Sequence, residues 1–116
     1  MFAKNMNISL LLDFYGDILS ERRREIMELY YNEDLSLSEI AEIKGISRQG
    51  VRDSVKKSEA ELCALEEKLG LAERFKNLKG EISSITELLK GAAASADADA
   101  AGKINNAITE LEELDI

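Results

Sequence analysis

Five positively charged side chains, Lys44, Arg48, Arg52, Lys56 and Lys57, fall within fourteen residues that hold a single acid, Asp53. Ser47 and Gln49 lie in the same run. These residue types suit nucleic acid. An arginine can grip guanine with two parallel hydrogen bonds, a glutamine amide can do the same for adenine, and a lysine neutralises phosphate. Ser47, placed to start a helix, adds backbone N–H groups that favour an anion. Spacing then sorts the residues. At about 100° per residue, Val51, Val55 and Leu62 share one helical face, Gln49, Arg52, Asp53 and Lys56 share the opposite one, and Arg48 lies between them. The plain alternative is a solvated face, where most arginines and lysines sit. The local character of the run favours nucleic acid: residues 44–57 carry +4 in a chain of net charge −8, so the remainder sums to −12. A chain so balanced meets a polyanion through one pole only.

Such a face needs a rigid helix and a tight turn before it. Ser36 or Ser38 caps a short helix, "SEIAEIK", that stops at Gly45, a residue suited to the left-handed conformation at a helix end. Ile46 plugs the corner and Ser47 caps the next helix. With Ile40 and Ala41 inward, Ala41 small at the crossing, and Val51 holding the second helix down, the spacing is that of a helix-turn-helix. Upstream, Ile8, Leu11, Leu12, Tyr15, Ile18 and Leu19 recur at helical steps, and Ser20 caps a helix with Ile26, Leu29 and Tyr30 inward. Residues 1–57 thus read as a helix-turn-helix domain. The stripe Val51, Val55, Leu62, Leu65 and Leu69 runs on as a coiled-coil-like arm ending near Gly70. Phe75, Leu78, Ile82, Ile85 and Leu89 form a second heptad-like segment. Residues 58–90 are therefore expected to be an arm and hairpin that joins two copies into a homodimer. The alanine-rich stretch 91–102 reads as a flexible linker, although its alanines could extend a helix, and 103–116 as a short acidic helix with Ile104, Ile108 and Leu111 on one face.

Composition agrees with an all-α fold. Proline and tryptophan are absent, valine and threonine are scarce, and Leu, Ile, Glu, Lys and Ala dominate. No apolar run approaches the roughly 18 residues of a membrane span, and the N-terminus reads as an amphipathic helix rather than a signal peptide. The single cysteine, Cys63, permits no internal disulfide and is expected to be an inert, buried or half-buried thiol. A cytoplasmic location and no membrane partner are the resulting expectations. Histidine is absent, and no glycine-rich phosphate loop or ligand cluster appears, so no catalytic residue, metal, cofactor or small-molecule substrate is expected. A second basic cluster, "ERRRE", opposes the helix dipole at its position. A phosphate contact would explain it, and so would solvation with Glu25 and Glu28 as partners.

The stretch from "DFYG" through "ELYYNEDLSLSEIAE" and "SRQGVRDSVKKSE" to "LEEKLGL" resembles the YlxM-like family of small bacterial helix-turn-helix proteins, over about residues 6–75. Residues 20–57 are similar to region four of primary sigma factors, which reads promoter DNA. The resemblance implies an all-α, sigma-region-four-like domain of the winged-helix-like DNA-binding superfamily, dimeric through the arm. It places Ser47, Arg48, Gln49, Arg52, Lys56 and Lys57 on the recognition helix. Ser54 departs from the sigma pattern, which has an apolar residue there, and Val55 takes the inward role. The resemblance also implies work near the signal recognition particle. Two functions follow as expectations: a non-enzymatic regulator that binds duplex DNA, or an accessory factor that docks on the particle's GTPase or RNA.

Overall fold

The computed structural model describes residues 6–114, with side chains from residue 7. Among the described residues six α-helices run in order: α1 Met6–Tyr15, α2 Glu21–Tyr31, α3 Leu37–Lys44, α4 Arg48–Leu69, α5 Leu71–Ala94 and α6 Ala98–Glu112, with a 3-10 turn at Gly16–Ile18. No strand occurs among the described residues. The fold is all-α. The chain divides after Ala72 into two compact units, so the whole of α4 belongs to the first unit.

Local chemistry sets the helix ends. The Ser20 hydroxyl accepts from the Arg23 amide at the start of α2. At the start of α3, Ser36 and Glu39 exchange side-chain and backbone hydrogen bonds as a capping box. Gly45 ends α3 at φ +66° and Gly70 ends α4 at φ +62°, both in the left-handed region that side chains with a Cβ resist. Ser47 caps α4 by accepting from the Gly50 amide at 2.9 Å.

The first unit packs α1, α2 and α3 around α4. Ile8, Leu11, Leu12, Tyr15, Leu19, Ile26, Met27, Tyr30, Leu37 and Ile40 form the core with Val51, Val55 and Leu62, while Ala41 and Ile46 pack at its edge. Ile18, expected inward, is exposed, because α1 stops at Tyr15 and the 3-10 turn rotates it outward. Met27 and Tyr31 are buried as well, beyond the inward set Ile26, Leu29 and Tyr30 given by the spacing.

The arm expected beyond residue 57 is different in kind. Val51, Val55, Ser58 and Leu62 are all 0% exposed, and Leu65 packs against the same core. Each buried Val or Leu contributes about 1.5–3 kcal/mol, so this stripe stabilises its own domain, with α1 and α2 alongside. Of the stripe, only Leu69 is left exposed. Cys63, expected buried or half-buried, is exposed as well, one residue round from Leu62.

In the second unit, α5 faces α6 with Thr86 and Ile108 buried. The Thr86 hydroxyl donates to the Ile82 carbonyl at 2.8 Å, so its burial leaves it satisfied. Residues 91–102, expected as a flexible linker, are mostly helical: α5 continues to Ala94, and Asp97 caps α6 by accepting from the Ala100 amide. Alanine is the strongest helix former, and one capping aspartate sufficed to restart the helix. The tail helix begins at Ala98 rather than at residue 103, and Asp115 and Ile116 lie outside the described residues. Leu78, Ile85 and Leu88 on α5 remain exposed.

Candidate nucleic-acid interface

Helix α4 turns its apolar stripe into the core and its N-terminal polar face to solvent. Ser47, Arg48, Gln49, Lys56 and Lys57 are exposed, and Arg52 is half-buried. Gln49, Arg52 and Lys56 follow each other along one side of the helix, and Lys57 lies about 100° round from Lys56, on the far flank. Ser47 at the cap and the other five residues on α4 therefore line its solvent-facing surface, spread from one flank to the other. The inward role of Val55 holds, with Ser54 at the margin; the Ser54 hydroxyl oxygen is buried without a hydrogen-bond partner among the described residues.

Polar clamps fix this helix along its length. Arg23 of α2 donates from Nε to Ser58 Oγ at 3.0 Å, and its Nη2 lies 2.8 Å from Glu61 as an ion pair rather than an aligned hydrogen bond. Tyr31 donates to Glu59. Tyr15 donates to Glu66 Oε1 at 2.7 Å and accepts from the Leu71 amide at 3.1 Å, while the Ala72 amide donates to the same carboxylate oxygen at 3.0 Å. Burial, then the Glu66 bond, pushes the Tyr15 hydroxyl above its ordinary range. Burial, then the Glu59 charge, does the same to Tyr30.

Two further cations of the region are engaged structurally. Lys44 pairs with Glu25 and holds that carboxyl below the usual range. Arg24 pairs with Asp17 at 2.7 Å. The "ERRRE" cluster thus supplies α2–α4 and turn contacts, with Arg22 left exposed. The sequence contained the possible partners but not their pairing, because Arg23 and Glu61 are 38 positions apart.

Two details refine the face. An added Cβ on Gly50 would sit 3.2 Å from Ser47 Oγ, so the glycine keeps room for the cap rather than for a ligand. Gln49 Nε2 donates to Asp53 Oδ1 at 2.8 Å, a pairing whose only sequence signal was the four-residue spacing. On α3, by contrast, Glu39 and Glu42 are exposed, and Ile43 is 60% exposed. Among the described residues no group of His, Cys, Asp and Glu could hold a metal ion, and no helix is long and apolar enough to cross a membrane.

A short helix, a glycine-ended turn, and a second helix that buries one face and exposes a basic one define a helix-turn-helix protein. Residues 2–101 match the family UPF0122, described as "Putative helix-turn-helix protein, YlxM / p13 like". The chain belongs to this family. It is 38% identical over 115 residues to a UPF0122 protein of Shouchella clausii, covering 99% of this chain and all of that one. A UPF0122 protein of Clostridium kluyveri is 39% identical over 105 residues, 90% of this chain and 95% of its own. One from Caldanaerobacter subterraneus subsp. tengcongensis is 48% identical over 82 residues, 71% of this chain and 70% of its own.

Proposed function

We propose that the protein is a non-enzymatic, duplex-DNA-binding regulator that presents the N-terminal half of α4 to the major groove. The observation that carries this reading is the polar face of exposed Arg48, Gln49, Lys56 and Lys57 with half-buried Arg52, on a helix that buries Val51, Val55, Ser58 and Leu62 on its other side. Arg52 and Gln49 lie near the helix start, the end that usually meets base edges. Lys56 and Lys57 lie a turn further on, where the phosphates run. Two copies join through the exposed margin of α5, Leu78, Ile85 and Leu88, and so present two such helices. The test compares single variants on duplex DNA. Arg52→Ala should lose about 1–3 kcal/mol and relax sequence preference. Lys56→Ala with Lys57→Ala should weaken all duplexes alike and flatten the salt dependence by about 0.9 per lost phosphate contact.

A second reading has one observation in its favour. The outward side of α3, the helix that crosses the backbone in such motifs, carries Glu39, Glu42 and the exposed Ile43. That surface suits a protein better than phosphate. Docking on the GTPase of the signal recognition particle would then replace DNA, and titration of that partner, with the particle's RNA alongside, distinguishes the two.

A further inference from the structure

We infer that Asp53 is a positioning residue that presents Gln49 as an adenine reader, an inference that rests on the duplex-binding face proposed above. Asp53 is the only acid in residues 44–57. It is exposed on the polar side of α4. A carboxylate there weakens attraction to every phosphate backbone, so charge alone gives it no purpose. Its geometry supplies one: Oδ1 accepts from Gln49 Nε2 at 2.8 Å.

A primary amide has two N–H donors and one carbonyl acceptor. Adenine in the major groove offers an acceptor at N7 and a donor at N6, which together use one amide N–H and the carbonyl. One N–H is left over, and Asp53 takes it. This has a directional consequence. The last torsion of a glutamine side chain is broad and roughly two-fold, so an unheld amide exchanges its oxygen and nitrogen ends. Asp53, one turn further along, fixes the nitrogen on its own side and leaves the carbonyl and the second N–H side by side. The pair is weak in water and strengthens when an interface excludes solvent, so the orientation is firmest when a base edge is present. An amide held this way matches adenine and mismatches the guanine edge, which has two acceptors.

The probe is a library of duplexes with a randomised centre, from which bound and free fractions are sequenced for the wild type, Gln49→Ala, Asp53→Ala and Asp53→Asn. Asparagine keeps an oxygen for Gln49 Nε2 and removes the charge, whereas alanine removes both. The wild type should show an adenine-specified position with a preference on the order of fivefold to a hundredfold, the range of one bidentate pair. Both Asp53 variants should bind duplexes more tightly overall. Gln49→Ala and Asp53→Ala should lose the adenine preference, and Asp53→Asn should retain it. Equal behaviour of Asp53→Ala and Asp53→Asn in base preference, or duplex binding by the wild type without an adenine-specified position, overturns the role of Asp53 and leaves the DNA reading standing. Absence of any duplex binding by the wild type overturns both.

Discussion

Replacing Arg23 with methionine removes the charged head that joins α2 to α4 and keeps most of the apolar stem. Its Nε donates to Ser58 Oγ, and Ser58 is 0% exposed. A hydrogen bond from a charged donor contributes about 1.5–3 kcal/mol. The Arg23 side chain is 21% exposed, so water partly replaces the bond and the lower part of that range applies. The ion-pair partner Glu61 is 37% exposed, which holds its share below about 1 kcal/mol. Against these losses, Arg23 occupies the third position of α2, where a cation opposes the helix dipole, and removing it relieves about 0.3–1 kcal/mol. The net expectation for Arg23→Met is a loss of about 1–2.5 kcal/mol, with a coupling of about 1–2 kcal/mol to Ser58→Ala in a double-mutant cycle. Urea unfolding followed by tyrosine signal suits the measurement. Tyr15, Tyr30 and Tyr31 are the three tyrosines, tryptophan is absent, and all three lie in the first unit. A coupling near zero, or a variant as stable as the wild type, would refute the clamp and return the arginine cluster to solvent or phosphate.

Tyr15→Phe should lower the unfolding midpoint and remove amide-exchange protection at Leu71, whose N–H donates to the lost hydroxyl. Because the Tyr15 hydroxyl is raised by burial and by Glu66, its contribution is full below the ordinary tyrosine range and fades as pH rises through the raised value. An alkaline loss present in the wild type should therefore shrink in Tyr15→Phe. Glu25 is held low by its bond to Lys44, and Glu39 by the Ser36 amide. Their stabilisation is present above the ordinary carboxylate range and lost as pH falls below it through their lowered values, and Lys44→Met should reduce that acid-side loss in urea titrations across pH. Changing Ile85 and Leu88 to lysine should halve the sedimenting mass with unchanged circular dichroism, whereas a wild type that already sediments as a monomer would sink the pairing through α5.

Much of the first unit was legible because short-range rules govern it. Ser20, Ser36, Ser47, Gly45 and Gly70 mark helix ends through contacts a few residues away, and they do so in the structure. The inward set Ile40, Val51, Val55 and Leu62 followed from periodicity. The reading failed where the outcome depended on partners distant in sequence. The stripe along α4 reads as an arm in sequence because periodicity does not show α1 and α2 flanking it; Leu65 packs against the same core, and Leu65→Lys should therefore destabilise the unit. Residues 91–102 were not legible because alanine-rich composition suits both a linker and a helix; α5 continues to Ala94 and Asp97 caps α6 within the stretch. For the candidate site, periodicity grouped the outward residues and set Gln49 and Asp53 four positions apart, but it carried no sign that Lys44 would be engaged by Glu25, nineteen positions away.

The central claim is that the solvent side of α4 binds duplex DNA. The direct measurement is a titration of a labelled duplex with the wild type and with the triple variant Arg48→Ala, Arg52→Ala, Lys56→Ala, each at two salt concentrations, with circular dichroism confirming that the variant folds. The wild type should bind, weaken as salt rises, and lose both affinity and most of its salt dependence in the triple variant, at about 0.9 of slope per lost phosphate contact. Binding that is the same in the triple variant at both salt concentrations would contradict the account and leave the outward face of α3 as the surface to test.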